Sequence, residues 1–201
     1  MTDTSPLPWP RPWTVRASRP VHRDRWIHVR ADDCVTARGV EVSPYYVLEY
    51  GNWVQIVALD AEDHILLIRQ YRHGLGRVAL ELPAGAMDPG ESDPLAAAAR
   101  ELREETGYVA ENLRLVGAVS PNPATHTNLS YTVLALGARR LHEPQPEPAE
   151  DIVVERVPYR TAVEAAVAGR IDSAIHVAAL LVGLSAAGRL GFDYAAEQPR
   201  G

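Results

Sequence analysis

Between two groups of short β-type runs the chain carries one strongly marked helix over residues 93–107, with three glutamates inside one and a half turns of it. Asp93 is a residue type that caps helix N-termini, Pro94 suits the first helical position, and Gly107 is the residue most often found just past a helix end. The run between them, "LAAAARELREET", puts Glu101 and Glu105 four positions apart on one face, with Glu104 beside them. Like charges at that spacing repel, so the cluster costs stability unless a cation sits on it. Arg100 and Arg103 offer one solution, an ordinary solvated face. A divalent cation is the other: hard Mg²⁺ takes carboxylate oxygens and keeps waters and a substrate phosphate in its shell, and oxygen-rich sites also accept Mn²⁺.

The rest of the chain sets the fold around that helix. "WTVRAS", "RWIHVRADDCVTARG" and "SPYYVLEYG" are short β-type runs broken by turns. "WVQIVALD" and "HILLIRQYR", separated by "AEDH", read as core strands, and "VALELP" is a strand ended by Pro83. Strands resume with "LRLVGAVS", "YTVLALGARR" and "IVVERVP"; "HEPQPEPAED" (142–151) is a loop, and "RTAVEAAVAG" and "SAIHVAALLVGLSAAG" are helical. Strands before and after a central helix, with helices at the end, predict an α+β sandwich of a mixed sheet between helices. The expected organisation is a Pro-rich, poorly ordered tail over 1–12, a small N-terminal β-region over 13–50, and the main domain over 51–195.

Composition removes several classes of function. At 201 residues and 46% hydrophobic, the chain can bury a real core. A net charge of −6 advertises neither nucleic acid nor an anionic membrane as partner. A single cysteine, Cys34, excludes an internal disulfide and a Cys-based zinc site and suits a reducing cytoplasm. The N-terminus lacks a signal-peptide pattern, and the apolar stretch 175–188 is too short and interrupted to span a bilayer.

The glutamate helix has a longer context. "LELPAG" supplies Gly85; after five intervening residues comes Glu91, and then Arg100-Glu101-Leu102-Arg103-Glu104-Glu105-Thr106-Gly107. This resembles the Nudix box, with Tyr108 where the family usually has an aliphatic residue. "RWIHVRADD", "LIRQYRHGLGRVALELPAG" and "GRIDSAIHVAAL" resemble the ADP-ribose pyrophosphatase branch of that superfamily. The resemblance implies a Nudix-type α/β/α sandwich that hydrolyses a nucleoside diphosphate linked to another moiety. It implies Glu101 and Glu105 as metal ligands, Glu104 close by and able to hold a further ion, and the Ala84 carbonyl completing the protein's share. Glu91 and Arg100 would orient loop and helix, and the implied catalytic set is Glu104, Glu150 and Arg100.

One departure stands out. Between Glu91 and Arg100 lie eight residues, "SDPLAAAA", where the family has seven. Arg100 still lies six positions after Pro94, as in typical boxes, so the extra residue belongs to the loop at Ser92 or Asp93. An insertion inside the helix would rotate Glu101 by about 100° relative to what precedes it, whereas one in the loop is cheap. The reach of Glu91 to Arg100 is the feature put in question.

Hydrolysis also needs a base and phosphate partners. In the resembling branch the base is often a Glu on a mobile loop after the box, here 142–151, with Glu147, Glu150 and Asp151 as candidates. Glu150 comes first because "AEDIVVERVP" resembles the family's loop-to-strand junction, and Glu104 is the fallback. Arg69 and Arg72 are candidate phosphate partners, with Arg77 a weaker third; strand alternation sends Arg69 and Arg72 to opposite faces. Trp53, and Trp26 or Trp13, are candidate base-stacking residues or core residues. "SPNPATHTN" (120–128) stands where ADP-ribose enzymes usually carry "SPG" and an acidic residue. There Asn122, Thr125, His126, Thr127 and Asn128 either line a sugar pocket or form a plain turn. By analogy the N-terminal strands exchange in a homodimer. ADP-ribose, nucleotide sugars such as GDP-mannose or ADP-glucose, and a non-catalytic ADP-ribose sensor are the competing readings.

Overall fold

The computed structural model of the chain describes residues 11–191. The expected tail over 1–12 therefore lies outside the described residues except for Arg11 and Pro12, as does the end of the main domain beyond 191. The chain divides into two compact units, one of residues up to Tyr50 with Ser120–Asn128, the other of the remainder.

The first unit is a three-stranded antiparallel sheet: β1 (Thr14–Arg23), β2 (His28–Val35) and β3 (Glu41–Glu49), with β2 in the centre. β1 runs five residues beyond the expected "WTVRAS", accommodating Pro20 through register irregularities of an edge strand. The Asp24 carboxylate closes the β1–β2 turn by accepting from the backbone N–H groups of Trp26 and Ile27 at 2.7 and 2.9 Å. Segment 120–128 joins this unit through a bridge between Leu48 and His126.

The second unit is built on a seven-stranded mixed sheet. Its strands are β4 (Trp53–Leu59), β5 (His64–Arg72), β6 (Arg77–Glu81) and β7 (Ala84–Ala86), then β9 (Asn112–Val119), β10 (Ser130–Leu136) and β12 (Ile152–Pro158). The main path is β12-β5-β4-β10-β9, with β10 parallel to β4 and the other pairs antiparallel. Tyr108–Val109 (β8) and Arg139–Arg140 (β11) form a separate two-stranded ribbon. Helix α1 (Pro94–Thr106) covers one face; α2 (Tyr159–Val167) and α3 (Ala174–Ala186) cover the other. This is the expected α/β/α arrangement.

Side-chain alternation divides the core in two. Val54, Ile56, Ala58 and Leu66 pack with Ala97, Ala98 and Leu102 of α1, whereas Val57, Leu59, Ile65 and Leu67 pack towards α2 and α3. The alanines at 97 and 98 have no solvent exposure and keep α1 close to the sheet. Helix α3 approaches as closely through Gly183, where an added Cβ would lie 2.5 Å from a Val57 methyl.

The feature that positions the site is a split in the sheet. β4 and β5 pair in register only at Leu59 and Ile65, beside their connecting turn. They then part, and the gap is filled by β6 pairing to β5 and β7 pairing to β4. Ala84–Ala86 is thus a strand, where "LPAG" had been expected only to terminate one. Pro83 serves the junction by accepting the Ile56 N–H at 2.9 Å, which needs no N–H of its own.

Candidate active site

Helix α1 points its glutamates at β7. The Asp93 carboxylate caps the helix by accepting the Leu95 N–H at 2.9 Å, and Gly107 ends it with φ 74°, in the left-handed region. Glu105, 2% exposed, accepts the Ala84 N–H at 2.9 Å, tying the helix to the start of β7. Glu101 lies directly over Gly85: a Cβ there would overlap its Cδ and both oxygens. Glycine is required at 85 by this approach, not by backbone angle, because its φ is not positive.

These carboxylates are not at ease. Burial pushes the Glu105 carboxyl up to about 9, opposed by the Ala84 N–H and reinforced by the charges of Glu101 and Glu150. Burial also raises Glu101, with Arg100 opposing and Glu104 and Glu150 adding to the rise. A buried carboxylate and a half-buried one that repel each other, both held against the backbone of β7, match the preference of a hard divalent cation for oxygen. Among the described residues no three His, Cys, Asp or Glu side chains stand gathered around a common point. Mg²⁺ does not demand that, since one or two carboxylates with waters and substrate phosphates suffice. The residues therefore fit the ion.

Arg100 is the organiser of the helix-loop corner. Its Nη1 donates to Glu101 at 2.7 Å and Glu104 at 3.3 Å, and its Nη2 donates to the Ala86 carbonyl at 3.1 Å and to Glu91 at 3.3 Å. Burial opposes the charge, but Glu101 and Glu91 overcome it and hold the guanidinium protonated well above its usual range. Glu91 also accepts the Asp88 N–H at 3.0 Å. The longer loop does not separate Glu91 from Arg100: the extra residue is absorbed in the exposed, non-helical stretch Ser92–Asp93. Glu104 is shared between Arg100 and Arg103.

Two further residues converge on this corner. Arg72, at the end of β5, shares the sheet face of Leu66 and hence of α1, and feels the charges of Glu105 and Glu150. Glu150, just before β12, acts electrostatically on Glu101, Glu105 and Arg72 alike. Its carboxylate accepts the Glu147 N–H at 3.0 Å, which shapes the loop that carries it.

Other expected residues do not join them. Arg69, three positions before Arg72, falls on the Leu67 face and is bound by Glu155 of β12. Arg77 is bound by Asp172. Trp53, 37% exposed, shares by alternation the face of Val57, away from α1. Asn122 lies in the first unit, where its side chain accepts the Ala124 N–H at 3.3 Å and its carbonyl accepts the N–H groups of Thr125 and His126, a self-contained turn. Trp13 and Trp26 belong to the first unit; Trp13 meets Tyr45 edge-on and Arg25 stacks over Trp26.

Two residues escaped the sequence reading. Glu81 is 4% exposed and forks onto Arg72. His176 of α3 accepts the Leu82 N–H on Nδ1 at 3.0 Å. Burial pushes its ring down to about 4, so it is neutral at pH 7. The only sequence signal for either is a polar residue inside an apolar run, "VALELP" and "AIHVAALL".

A split mixed sheet between helices, with a carboxylate helix anchored over a glycine, defines an α/β/α scaffold whose acidic corner suits a divalent cation. The chain belongs to the Nudix family: the NUDIX domain matches residues 50–176, and the nucleoside diphosphate sugar hydrolase N-terminal domain matches residues 13–48. It is 34% identical over 136 residues to the ADP-ribose pyrophosphatase of Mycobacterium tuberculosis, covering 67% of this chain and 66% of that protein. It is 34% identical over 109 residues to the ADP-ribose pyrophosphatase of Bacillus subtilis, covering 54% of this chain and 58% of that one. The chain thus spans about two thirds or less of these relatives' length. A crystal structure of an ADP compounds hydrolase superposes with a TM-score of 0.76 at 28% identity, covering 90% of this chain and 99% of that one. No helix among the described residues is long and apolar enough to cross a membrane.

Proposed function

We propose that the protein hydrolyses the pyrophosphate bond of a nucleoside diphosphate joined to another moiety, with ADP-ribose, cleaved to AMP and ribose 5-phosphate, as first candidate. The observation that carries this reading is the Glu101 carboxylate seated on Gly85 beside the Glu105–Ala84 contact, in a corner that also contains Arg72 and Glu150. Glu101, Glu105, Glu104 and the Ala84 carbonyl would hold Mg²⁺, or Mn²⁺ in its place. The ion, when bound, draws charge from the phosphate oxygens.

The chain's own groups do the rest. Arg72 binds the phosphates, and Arg100 keeps Glu101, Glu104 and Glu91 in register without itself reaching substrate. Water adds in line to one phosphorus, the bridging P–O bond breaks, and Glu150 takes the proton from the water. Glu104 is the alternative base, although it is engaged by two guanidiniums. The residues Arg69, Trp53 and Asn122 have no part in this account.

A nucleotide-sugar substrate, such as GDP-mannose or ADP-glucose, is the second reading, supported by the match to a nucleoside diphosphate sugar hydrolase N-terminal domain. A homodimer is supported by β1, which is exposed along its whole length and carries Val15 and Val21, with Trp26 72% exposed beyond its end. A free, buried Cys34 thiol suits the cytoplasm. The decisive experiment incubates the protein with Mg²⁺, and in parallel Mn²⁺, on ADP-ribose, nucleotide sugars, dinucleoside polyphosphates and NADH. Release of AMP or GMP identifies the substrate; no hydrolysis of any by folded protein favours the ADP-ribose-binding sensor instead.

A further inference from the structure

We propose that Glu81 is a positioning residue for Arg72, fixing the guanidinium in the split of the sheet so that one edge is committed to protein and the other is presented to substrate phosphate. The proposal rests on the hydrolase reading above for what Arg72 binds, but not for how Arg72 is held.

Glu81 stands on β6 and Arg72 on β5, in strands that pair with each other. The Glu81 carboxylate receives Arg72 Nε on both oxygens at 3.1 Å and Nη2 at 2.6 Å, a side-on fork that fixes the guanidinium plane. Among the described residues Nη1 has no protein partner, so the free edge of the fork is the one left for a ligand. Among the described residues no other cation contacts Glu81, and at 4% exposure it is too deeply placed for water to replace Arg72. This pair joins a buried carboxylate to a half-buried guanidinium, a combination that among the described residues recurs only at Arg30–Asp32 in the first unit.

The backbone around Glu81 is also unusual, and that keeps the carboxylate still. β6 ends where β5 and β4 have parted, so the next N–H, of Leu82, has no ladder partner. His176 of α3 accepts it instead. The ring lies within range of the charges on both Glu81 and Arg72. A neutral imidazole that accepts on Nδ1 carries its proton on Nε2. The end of β6 is thereby held from the α3 side, while Glu81 projects to the α1 side with Arg72.

A pair that served only stability would contribute independently of catalysis. A positioning residue acts through Arg72, and its loss matters only while Arg72 is present. The test is a double-mutant cycle on E81Q, R72A and the double variant, measuring kcat and KM for ADP-ribose with Mg²⁺. E81Q is isosteric and retains an acceptor oxygen, so it removes charge and leaves volume unchanged. The expected result is a loss in kcat/KM on the order of 100-fold for E81Q, comparable with R72A, and little further loss in the double variant. Additive losses overturn the proposal while leaving the hydrolase reading intact.

A second readout is independent of turnover: the arginine Nε–H spectrum of ¹⁵N-labelled protein. The Arg72 signal, assigned by its absence in R72A, is expected to be resolved and slow to exchange in the parent, and to merge with the exposed arginines in E81Q. An Arg72 signal unchanged in E81Q overturns the proposal. If the folded parent hydrolyses nothing, the hydrolase reading fails, and this spectrum still decides whether Glu81 positions Arg72.

Discussion

Replacing Gly85 by alanine isolates the geometry on which the active-site reading depends. Gly85 has no positive φ, so alanine brings no backbone strain, and the whole effect comes from the added methyl. That methyl would overlap Cδ, Oε1 and Oε2 of Glu101. Carbon atoms rest about 3.5 Å apart, so the carboxylate must retreat by at least about 1 Å. Mg²⁺ binds oxygen within a narrow range near about 2.0–2.1 Å, and a ligand moved by half that distance is no longer bound. A misplacement of about 1 Å is worth on the order of 100-fold in rate.

We therefore expect G85A to lose about two orders of magnitude in kcat and to require much more Mg²⁺ for half-maximal rate. Its thermal unfolding without metal should shift little, because an exchange of glutamate rotamer relieves the overlap at a partly exposed site. Gly74, where an added Cβ meets nothing within 4 Å, provides the control: G74A should keep full turnover. The assay is steady-state hydrolysis of ADP-ribose across a Mg²⁺ titration, with circular dichroism on each variant. Full turnover of G85A at the parent's Mg²⁺ requirement would refute the claim that Glu101 works from its seat on Gly85.

E101Q and E105Q should each cut turnover by orders of magnitude, while E91Q, whose carboxylate braces Arg100 and the Asp88 N–H, should cost about tenfold; equal losses for all three would dissolve that ranking. E150Q should lower kcat with KM nearly unchanged, and if E104Q does so instead, the base is Glu104. Gly107 holds φ 74°, and a side chain there would also strike the His142 carbonyl, so G107A should lower the unfolding free energy by at least about 1 kcal/mol in urea titrations. His176 titrates at about 4 in the folded protein against 6.5 unfolded. The unfolded chain therefore binds more protons between those values, and stability should fall as pH drops from 6.5 towards 4, by about 3 kcal/mol in total. H176Q should lack this component of the slope in urea unfolding across that pH range.

What the sequence made legible was local. Helix α1 could be bounded because Asp93, Pro94 and Gly107 act within a few residues of themselves, and the structure uses each as its type dictates. The same holds for the opposite faces of Arg69 and Arg72, which follow from strand period alone, and for the extra loop residue, which could be placed before the cap by counting from Pro94. Choosing between the two arginines was a different matter, because it required knowing which face α1 covers. That depends on Leu66 and Ile56 meeting Leu102, contacts that no local pattern announces.

The sheet split was illegible for the same reason in stronger form. "WVQIVALD", "AEDH" and "HILLIRQYR" describe a hairpin, and a hairpin predicts continuous pairing. Only one register pair forms, because Trp53, Val54 and Gln55 find Ala86, Gly85 and Ala84 in the region that β5 would otherwise occupy. Once the strands part, the gap creates its own requirements. Leu82 needs an acceptor, which His176 supplies from 94 residues away. Arg72 needs a buried counter-charge, which Glu81 supplies from the strand opposite. A glutamate in "VALELP" and a histidine in "AIHVAALL" look like interruptions of apolar runs when read along the chain. Across the split they answer the backbone and the charge that the split exposes, and polar residues within otherwise apolar strands and helices of such a chain are the first places to look for parts of its site.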